Sequence, residues 1–432
     1  MTESGSGFAS QRLRALVASG EARPLFAASA AYFCLLCGYY MLRSLREALA
    51  LEVGRANIDL LFYATFAVML IVLPIYWALV ARVPRRALLP GVYGFIVLLF
   101  LTLSAALAVT AATRTVAAVY FVAVTSLNLF LVSVFWSVMV DAWKSGAAKR
   151  LFGYIAAGGS VGAIAGPMFS SLFVERLGPS ALILVACAML SLAAVFAVRA
   201  QTLSIATVDD PRRSLNVAVG GRAIDDLRRL ITSPYLLAIA GLIVGGQILG
   251  AFMYNEQARY VEGAYVTLAE RTRLFAQIDY SVNILSLVFQ SLVVGWLAAR
   301  GGLRLAFGLV PLLLAGSLAL LAIFPFGAML LATQVFRRSV DYGLFKPTRE
   351  MLFTVLGSET KFKSKSLIDT LLQRGGDSAG QAAYGLIAGL GLAGVAWVCA
   401  GICLLMLAVA VWIGGVFGRA EQPESGALRV GS

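Results

Sequence analysis

Charge is scarce in this chain, and much of its unusual charge lies in one stretch. From Phe336 to Gly380 the sequence reads FRRSVDYGLFKPTREMLFTVLGSETKFKSKSLIDTLLQRGGDSAG, set between two apolar runs. Arg337, Arg338, Asp341, Lys346, Arg349 and Glu350 come first. Lys361, Lys363 and Lys365 follow, then Asp369, Arg374 and Asp377. An ionisable side chain in hydrocarbon is costly unless paired or hydrated, so such residues mark a site. A basic loop that only sets orientation accounts for the lysines. It does not account for Asp369, Arg374 and Asp377, which run into the next apolar segment. Arg374 and Asp377 are three residues apart and can pair. The Gly375–Gly376 step between them lets a helix or ligand approach the backbone. Arginine presents a planar fork of donors to a phosphate or carboxylate.

A second group, Arg43, Arg46 and Glu47, ends the first apolar run. Arg43 and Glu47 are four apart and share a helix face. An ion pair there, with Arg46 reaching the outer headgroups, is the structural alternative to a substrate or gating role. Asp279, in LFAQIDYSVN, lies about one and a half turns into its run, and no sequence neighbour neutralises it. Asp141 ends the fourth run, where Lys144 offers it a partner.

What must position these residues follows from composition. The 432 residues are 60% hydrophobic and 13% charged, with mean hydropathy +0.86. Soluble chains are about a quarter charged. The apolar runs are long enough to cross a bilayer as helices, and the short alternating segments of a membrane barrel are missing. The fold class is therefore all-α and integral to the membrane. The net charge of +13 is expected in loops facing anionic lipid, not on a nucleic acid. With no histidine, histidine-ligated metal and histidine bases are excluded, and proton movement would need carboxylates. Cys34, Cys37, Cys187, Cys399 and Cys403 all lie in apolar runs. The Cys34–Cys37 CxxC reads as helix packing, not redox or metal chemistry. No GxxxxGK[ST] phosphate loop and no nucleophile–base constellation is present, so neither an enzyme nor a cofactor or metal is expected. Residues 1–24 are polar and carry Arg12, Arg14 and Arg23, unlike a cleavable leader.

Twelve spans are expected, near 25–46, 58–81, 88–111, 115–141, 150–174, 180–198, 234–257, 274–299, 303–320, 322–343, 366–389 and 392–417. This gives a cytoplasmic segment at 1–24, a six-helix bundle over 25–198 and a polar linker at 199–233. A second six-helix bundle over 234–417 and a tail at 418–432 complete it. Residues 222–231 of the linker can form an amphipathic surface helix. With the N-terminus inside, 26 of the 35 Lys and Arg fall on inner segments, which places both termini in the cytoplasm. A bacterial inner-membrane location and a monomer in contact with membrane lipid are expected.

The halves resemble each other. FWSVMVDAWK (135–144) precedes GGSVG (158–162), and FRRSVDYGLFK (336–346) precedes GGDSAG (375–380). Parallel repeats of this kind occur in major-facilitator transporters. GWLAARGGLR, at 295–304, resembles that superfamily's loop signature, with Ala299 where Asp is usual. Three further stretches resemble the nucleotide transporters of plastids and intracellular bacteria, which exchange ATP for ADP. These are YYMLRSLREAL (39–49), AAKRLFGYIAAGGSVGAIAGP (147–167), and KPTREM (346–351) with KFKSKSLID (361–369). The resemblance implies a secondary transporter working by alternating access on an anionic organic solute, nucleotides first. It implies that Arg46, Lys365 and Glu256 bear on substrate. Arg43 and Arg374 join them as candidate binding residues, and Glu47, Asp141, Asp279, Asp341, Asp369 and Asp377 as candidate coupling or gating residues. A polytopic sensor or scaffold that keeps the fold without transport is the alternative.

Overall fold

The computed structural model describes residues 21–83, 85–109, 113–143, 145–205, 233–294, 302–352 and 372–420. Every regular element among them is helical: α1 (Ala22–Val53), α2 (Ile58–Arg82), α3 (Arg85–Val109), α4 (Thr113–Ala142), α5 (Ser145–Ile205), α6 (Pro234–Ala264), α7 (Leu268–Val288), α8 (Gly302–Ile323), α9 (Gly327–Val340), α10 (Lys346–Leu352), α11 (Gln373–Ile387) and α12 (Gly391–Ala420). The chain is an all-α integral membrane protein. Among the described residues, seven stretches of helix are long and apolar enough to cross a membrane.

Two of these seven are double length, and glycine divides each. Within α5, Gly178 has φ 76° and ψ 165°, a conformation closed to side chains with a Cβ. Gly391 (φ 70°) divides α11 from α12 in the same way. Each break turns one long apolar stretch into two limbs. Other ends are set by side chains. Ser233 caps α6 by accepting from the Leu236 N–H, with Pro234 at the first helical position. Thr267 and Glu270 form a reciprocal box at the start of α7. The Glu270 N–H donates to Thr267 Oγ1 (3.2 Å), and the Thr267 N–H donates to Glu270 Oε2 (3.0 Å).

The chain forms two compact units. Unit 1 holds residues 1–53, 67–216 and 267–280, and unit 2 holds 54–66, 217–266 and 281–432. Two short segments thus leave their sequence neighbours: 54–66 joins unit 2 and 267–280 joins unit 1. Each unit has its own apolar core. Leu35, Leu42, Leu45, Tyr93, Tyr120 and Phe135 are central in unit 1. Leu249, Met253, Leu318, Val340, Val395 and Cys399 are central in unit 2.

The glycine repeats do the same work in both units. In unit 1, Gly158, Gly162 and Gly166 of α5 meet the backbone carbonyls of Ser29, Phe33 and Cys37 on α1. A Cβ on Gly158 would lie 2.7 Å from Ser29 O. Both sets of residues rise by four, so the two helices run parallel with their backbones almost touching. In unit 2, Gly376 and Gly380 of α11 meet Gln247 and Ala251 on α6, again rising by four. Small residues at this spacing let helices approach where no water drives them together.

The structure departs from the expected spans at the tenth. That span was expected to end near 343, with a cytoplasmic loop from there. Instead α9 passes through a π turn, Asp341–Phe345, straight into α10. Residues Gly327 to Leu352 are therefore continuous helix, and Arg337 and Arg338 sit in its middle. Gly343 allows the π turn: a Cβ there would come within 2.9 Å of Ser286 O on α7. The first span also runs further than expected, to Val53, so Arg43, Arg46 and Glu47 lie inside α1 and not at its end. The 222–231 segment, the loop signature from 295 to 301 and the lysines at 361–365 lie outside the described residues.

Candidate functional site

In unit 1 the charged residues of α1 meet α4 and the first part of α7. Arg43 Nε lies 3.7 Å from Asp279 Oδ2, and Asp279 is 1% exposed. Read from sequence alone, Asp279 has no neutralising neighbour; the fold supplies one from α1. Because α7 starts at Leu268, Asp279 is about three turns into its helix, deeper than expected. Arg46 pairs with Glu47 and donates from Nη1 to Thr125 Oγ1 (3.2 Å). Its guanidinium also lies over the Phe121 ring, 5.2 Å from the centroid. Thus Arg46 is held within unit 1 by contacts with α4. A second pair, Glu52 with Arg271 (2.9 Å), lies further along the same two helices. A third, Arg273 with Glu175 (2.9 Å), ties α7 to α5.

In unit 2 the polar residues gather on α6. Glu256 is buried at 2% exposure. It accepts from the Tyr384 hydroxyl (2.8 Å) and lies 3.4 Å from the Arg259 guanidinium. Arg259 in turn donates to the Tyr384 oxygen (2.9 Å) and to Ala388 O (3.1 Å). The three side chains close a ring in which Tyr384 gives one hydrogen bond and receives another. Beside them Asn255 Nδ2 donates to Gln381 Oε1 (2.7 Å), while Gln334 of α9 donates to Gln257 Oε1 (2.6 Å). Arg374 and Asp377 stand 3.5 Å apart, half-buried, on the α11 face that follows the expected pairing. Asp341 pairs with Lys346 (3.9 Å), and the Lys346 ammonium lies over the Tyr342 ring. The π turn frees the Tyr342 carbonyl, which accepts from Gln290 (3.1 Å), in the π-helical stretch Phe289–Val294 that follows α7.

Of the residues singled out in the sequence, Arg43, Arg46, Glu47 and Asp279 come together in unit 1. Glu256, Arg374, Asp341 and Asp377 fall in unit 2, with Glu256 in a separate cluster from the Arg374–Asp377 pair. Lys365 and Asp369 lie outside the described residues. Asp141 is in the last turn of α4, and its side chain lies outside them as well. Sequence reading missed Thr125, Gln257, Arg259, Gln334 and Tyr384 as partners. Amides and a tyrosine on apolar helices are quieter signals than charges, although polar groups there also need partners. Among the described residues no group of three or more metal-binding side chains is found.

A sequence-family model described as TLC ATP/ADP transporter matches residues 306–421, which covers α8 through α12. No curated protein sequence matches the chain. Solved structures match over almost its whole length. A POT family transporter in complex with a thioalcohol-conjugated peptide is 13% identical, with a TM-score of 0.64 over 93% of this chain and 97% of its own. The nucleoside transporter NupG is 14% identical, with a TM-score of 0.56 over 92% and 100%. A bacterial homologue of the iron transporter ferroportin, inward-facing, is 12% identical, with a TM-score of 0.62 over 91% and 98%. The chain has the fold of these polytopic membrane transporters. Each of these matches is described as a transporter.

Proposed function

We propose that this protein is a secondary transporter that carries a small anionic organic solute across the membrane by alternating access, with nucleotide exchange of the ATP-for-ADP kind first among the substrates. The match of residues 306–421 to an ATP/ADP transporter model carries the nucleotide reading. The half-buried arginines Arg43, Arg46 and Arg374 supply groups suited to phosphate or carboxylate. In this reading the twelve spans are α1 to α4, the two limbs of α5, α6, α7, α8, α9 with α10, α11 and α12. They form two six-helix halves over 25–198 and 234–417, joined by the 199–233 linker, with both termini in the cytoplasm of a bacterial inner membrane. Arg43, Arg46, Glu256, Lys365 and Arg374 serve the substrate. Glu47, Asp141, Asp279, Asp341, Asp369 and Asp377 serve gating or coupling.

The test is purified protein in liposomes loaded with ADP and given labelled ATP outside. Saturable uptake that depends on internal ADP is expected. Uptake that neither saturates nor responds to internal nucleotide would overturn the exchange reading. No uptake of any organic anion, with a partner protein still bound, would favour the sensor or scaffold. Topology is tested separately: cysteine placed at Ser214 or Ser425 should resist impermeant label from outside intact cells, and ready labelling would overturn the orientation.

A further inference from the structure

Arg337 stands out because the fold holds it in place and, among the described residues, sets no carboxylate in an ion pair with it. It lies ten residues after the start of α9, about 15 Å along a helix that continues to Leu352. Its Nε donates to Gln334 Oε1 (3.0 Å). Gln334 is 1% exposed, and its amide nitrogen is spent on Gln257 Oε1 (2.6 Å) and Met253 O (3.1 Å). The Gln334 oxygen is thereby turned toward Arg337, so three helical groups aim one guanidinium. Gly250 of α6 faces it: a Cβ there would lie in ordinary contact with Nη1, at 3.5 Å. Among the described residues no carboxylate forms an ion pair with Arg337. Asp341, one turn further on, acts on the Arg337 charge through space but makes its ion pair with Lys346.

A cation carried into the interior of a membrane protein usually finds a carboxylate. Here the Nε edge is satisfied by an amide, and among the described residues the terminal nitrogens are engaged by no hydrogen bond or ion pair. We propose that Arg337 is an oxyanion-binding residue of unit 2. Its two terminal nitrogens take two oxygens of a phosphate or carboxylate on a soluble organic ligand, and Gln334 and Gln257 hold it in position. Arg337 is not among the residues implicated by the family resemblance. The inference rests on the anionic-solute reading for its ligand class, but not on transport.

The experiment is thermal unfolding of the full chain in neutral detergent, with ATP, ADP, inorganic phosphate or citrate added. A ligand that binds only the folded state raises the melting temperature. Wild type and the Arg337→Met and Arg337→Lys variants are compared. In Arg337→Met, the anion-induced shift should fall as for a loss of roughly 30-fold or more in affinity. The same variant should melt no lower than wild type without ligand, because a cation with no ion-paired carboxylate is removed from the interior. Arg337→Lys should fall between, keeping charge but losing the fork. An Arg337→Met protein that melts lower yet keeps its full shift would show Arg337 to be a strut, and overturns the proposal. A wild type that shifts with phosphatidylglycerol micelles and with none of the four anions overturns the soluble-ligand assignment. A wild type that responds to nothing overturns this inference and the anionic-solute reading together. Binding that is lost in Arg337→Met, in a wild type that shows no uptake in liposomes, supports the inference and overturns transport alone.

Discussion

The Arg43 guanidinium on α1 faces the Asp279 carboxylate on α7 at 3.7 Å, with the carboxylate sealed from solvent. Nine residues further along α1, Glu52 meets Arg271, which lies eight residues back along α7. The helices therefore run antiparallel here, and the two pairs are spaced by about 12–14 Å on each. The signs are crossed: cation then anion along α1, matched by anion and cation on α7. A shift of one turn would lose both pairs, so charge sets this register as well as apolar contact.

Removing one partner of the buried pair leaves the other charged and alone, which typically costs about 3–5 kcal/mol. Arg43→Gln and Asp279→Asn should each lower the melting temperature of the detergent-purified protein strongly. The double variant should recover most of the loss. A double variant as unstable as the sum of the singles would mean the two residues do not act as a pair. Asp279→Asn should also impair uptake more than Asp141→Asn, and equal mild effects would remove Asp279 from the gating set.

Glu52 and Arg271 are more exposed, at 32% and 12%, so solvent screens them and the pair is worth about 1 kcal/mol or less. Reversing one sign should still be felt, because like charges then face each other. Glu52→Arg alone is expected to destabilise modestly. Combined with Arg271→Glu it should return to the wild-type melting temperature. Failure of the swap to rescue would argue that the register is held by something other than these charges.

Much of this fold was legible because hydrocarbon imposes a simple code. Runs of about twenty apolar residues, with Gly at 178 and 391 between them, mark where the helices begin and turn. The repeated glycines at 158–162 and 375–380 pointed to matching helices in the two halves, and both pack against a partner at the same four-residue step. The stretch after Phe336 was harder. Its charges resemble a loop, but Gln334 accepts from one edge of Arg337 and Asp341 pairs with Lys346, so helix persists through a π turn. The sequence pattern does not reveal this, because each partner lies about one turn away and is met only once the helix has formed. Asp279 shows the same limit in another form: its counterion is more than two hundred residues away in sequence and is brought close only by the fold. The Glu256 partners, Arg259 and Tyr384, were invisible for a similar reason. One is a neighbour whose direction depends on helix phase, and the other arrives from α11.

The glycine ladders make a sharp steric prediction. Gly162 of α5 sits against the Phe33 carbonyl of α1, with no room for a Cβ. Gly162→Ala must push backbone against backbone, which neither side can relieve by rotating a side chain. It should lower yield and melting temperature, and Gly162→Leu should abolish folding. Gly380→Ala in unit 2 should behave likewise, since its Cβ would lie 2.7 Å from that of Ala251. Gly153→Ala is the contrast, because nothing lies within 4 Å of a Cβ there. It should be neutral or gain up to about 1 kcal/mol from helix propensity. Equal tolerance at all three positions would show that close approach is not what the repeats provide.

The ring of Glu256, Arg259 and Tyr384 allows its members to be ranked. Glu256 is buried, so its charge relies on the hydrogen bond from Tyr384 and on the guanidinium of Arg259. Tyr384→Phe removes one donor and leaves the cation in place. It should cost about 1–3 kcal/mol, the usual penalty for one lost bond to a buried charged group. Arg259→Gln removes the cation and leaves a buried carboxylate held by a neutral hydroxyl, so it should cost more, nearer 3–5 kcal/mol. Glu256→Gln in the same chain then removes the stranded charge, and Tyr384 can still donate to an amide oxygen. That double variant should regain much of the stability lost in Arg259→Gln. Its uptake separates two roles for Glu256. If the carboxylate serves the substrate or the coupling step, the double variant is stable but does not transport. A double variant that is both stable and fully active in liposomes would show that Glu256 is there only to neutralise Arg259, and would remove it from the candidate site.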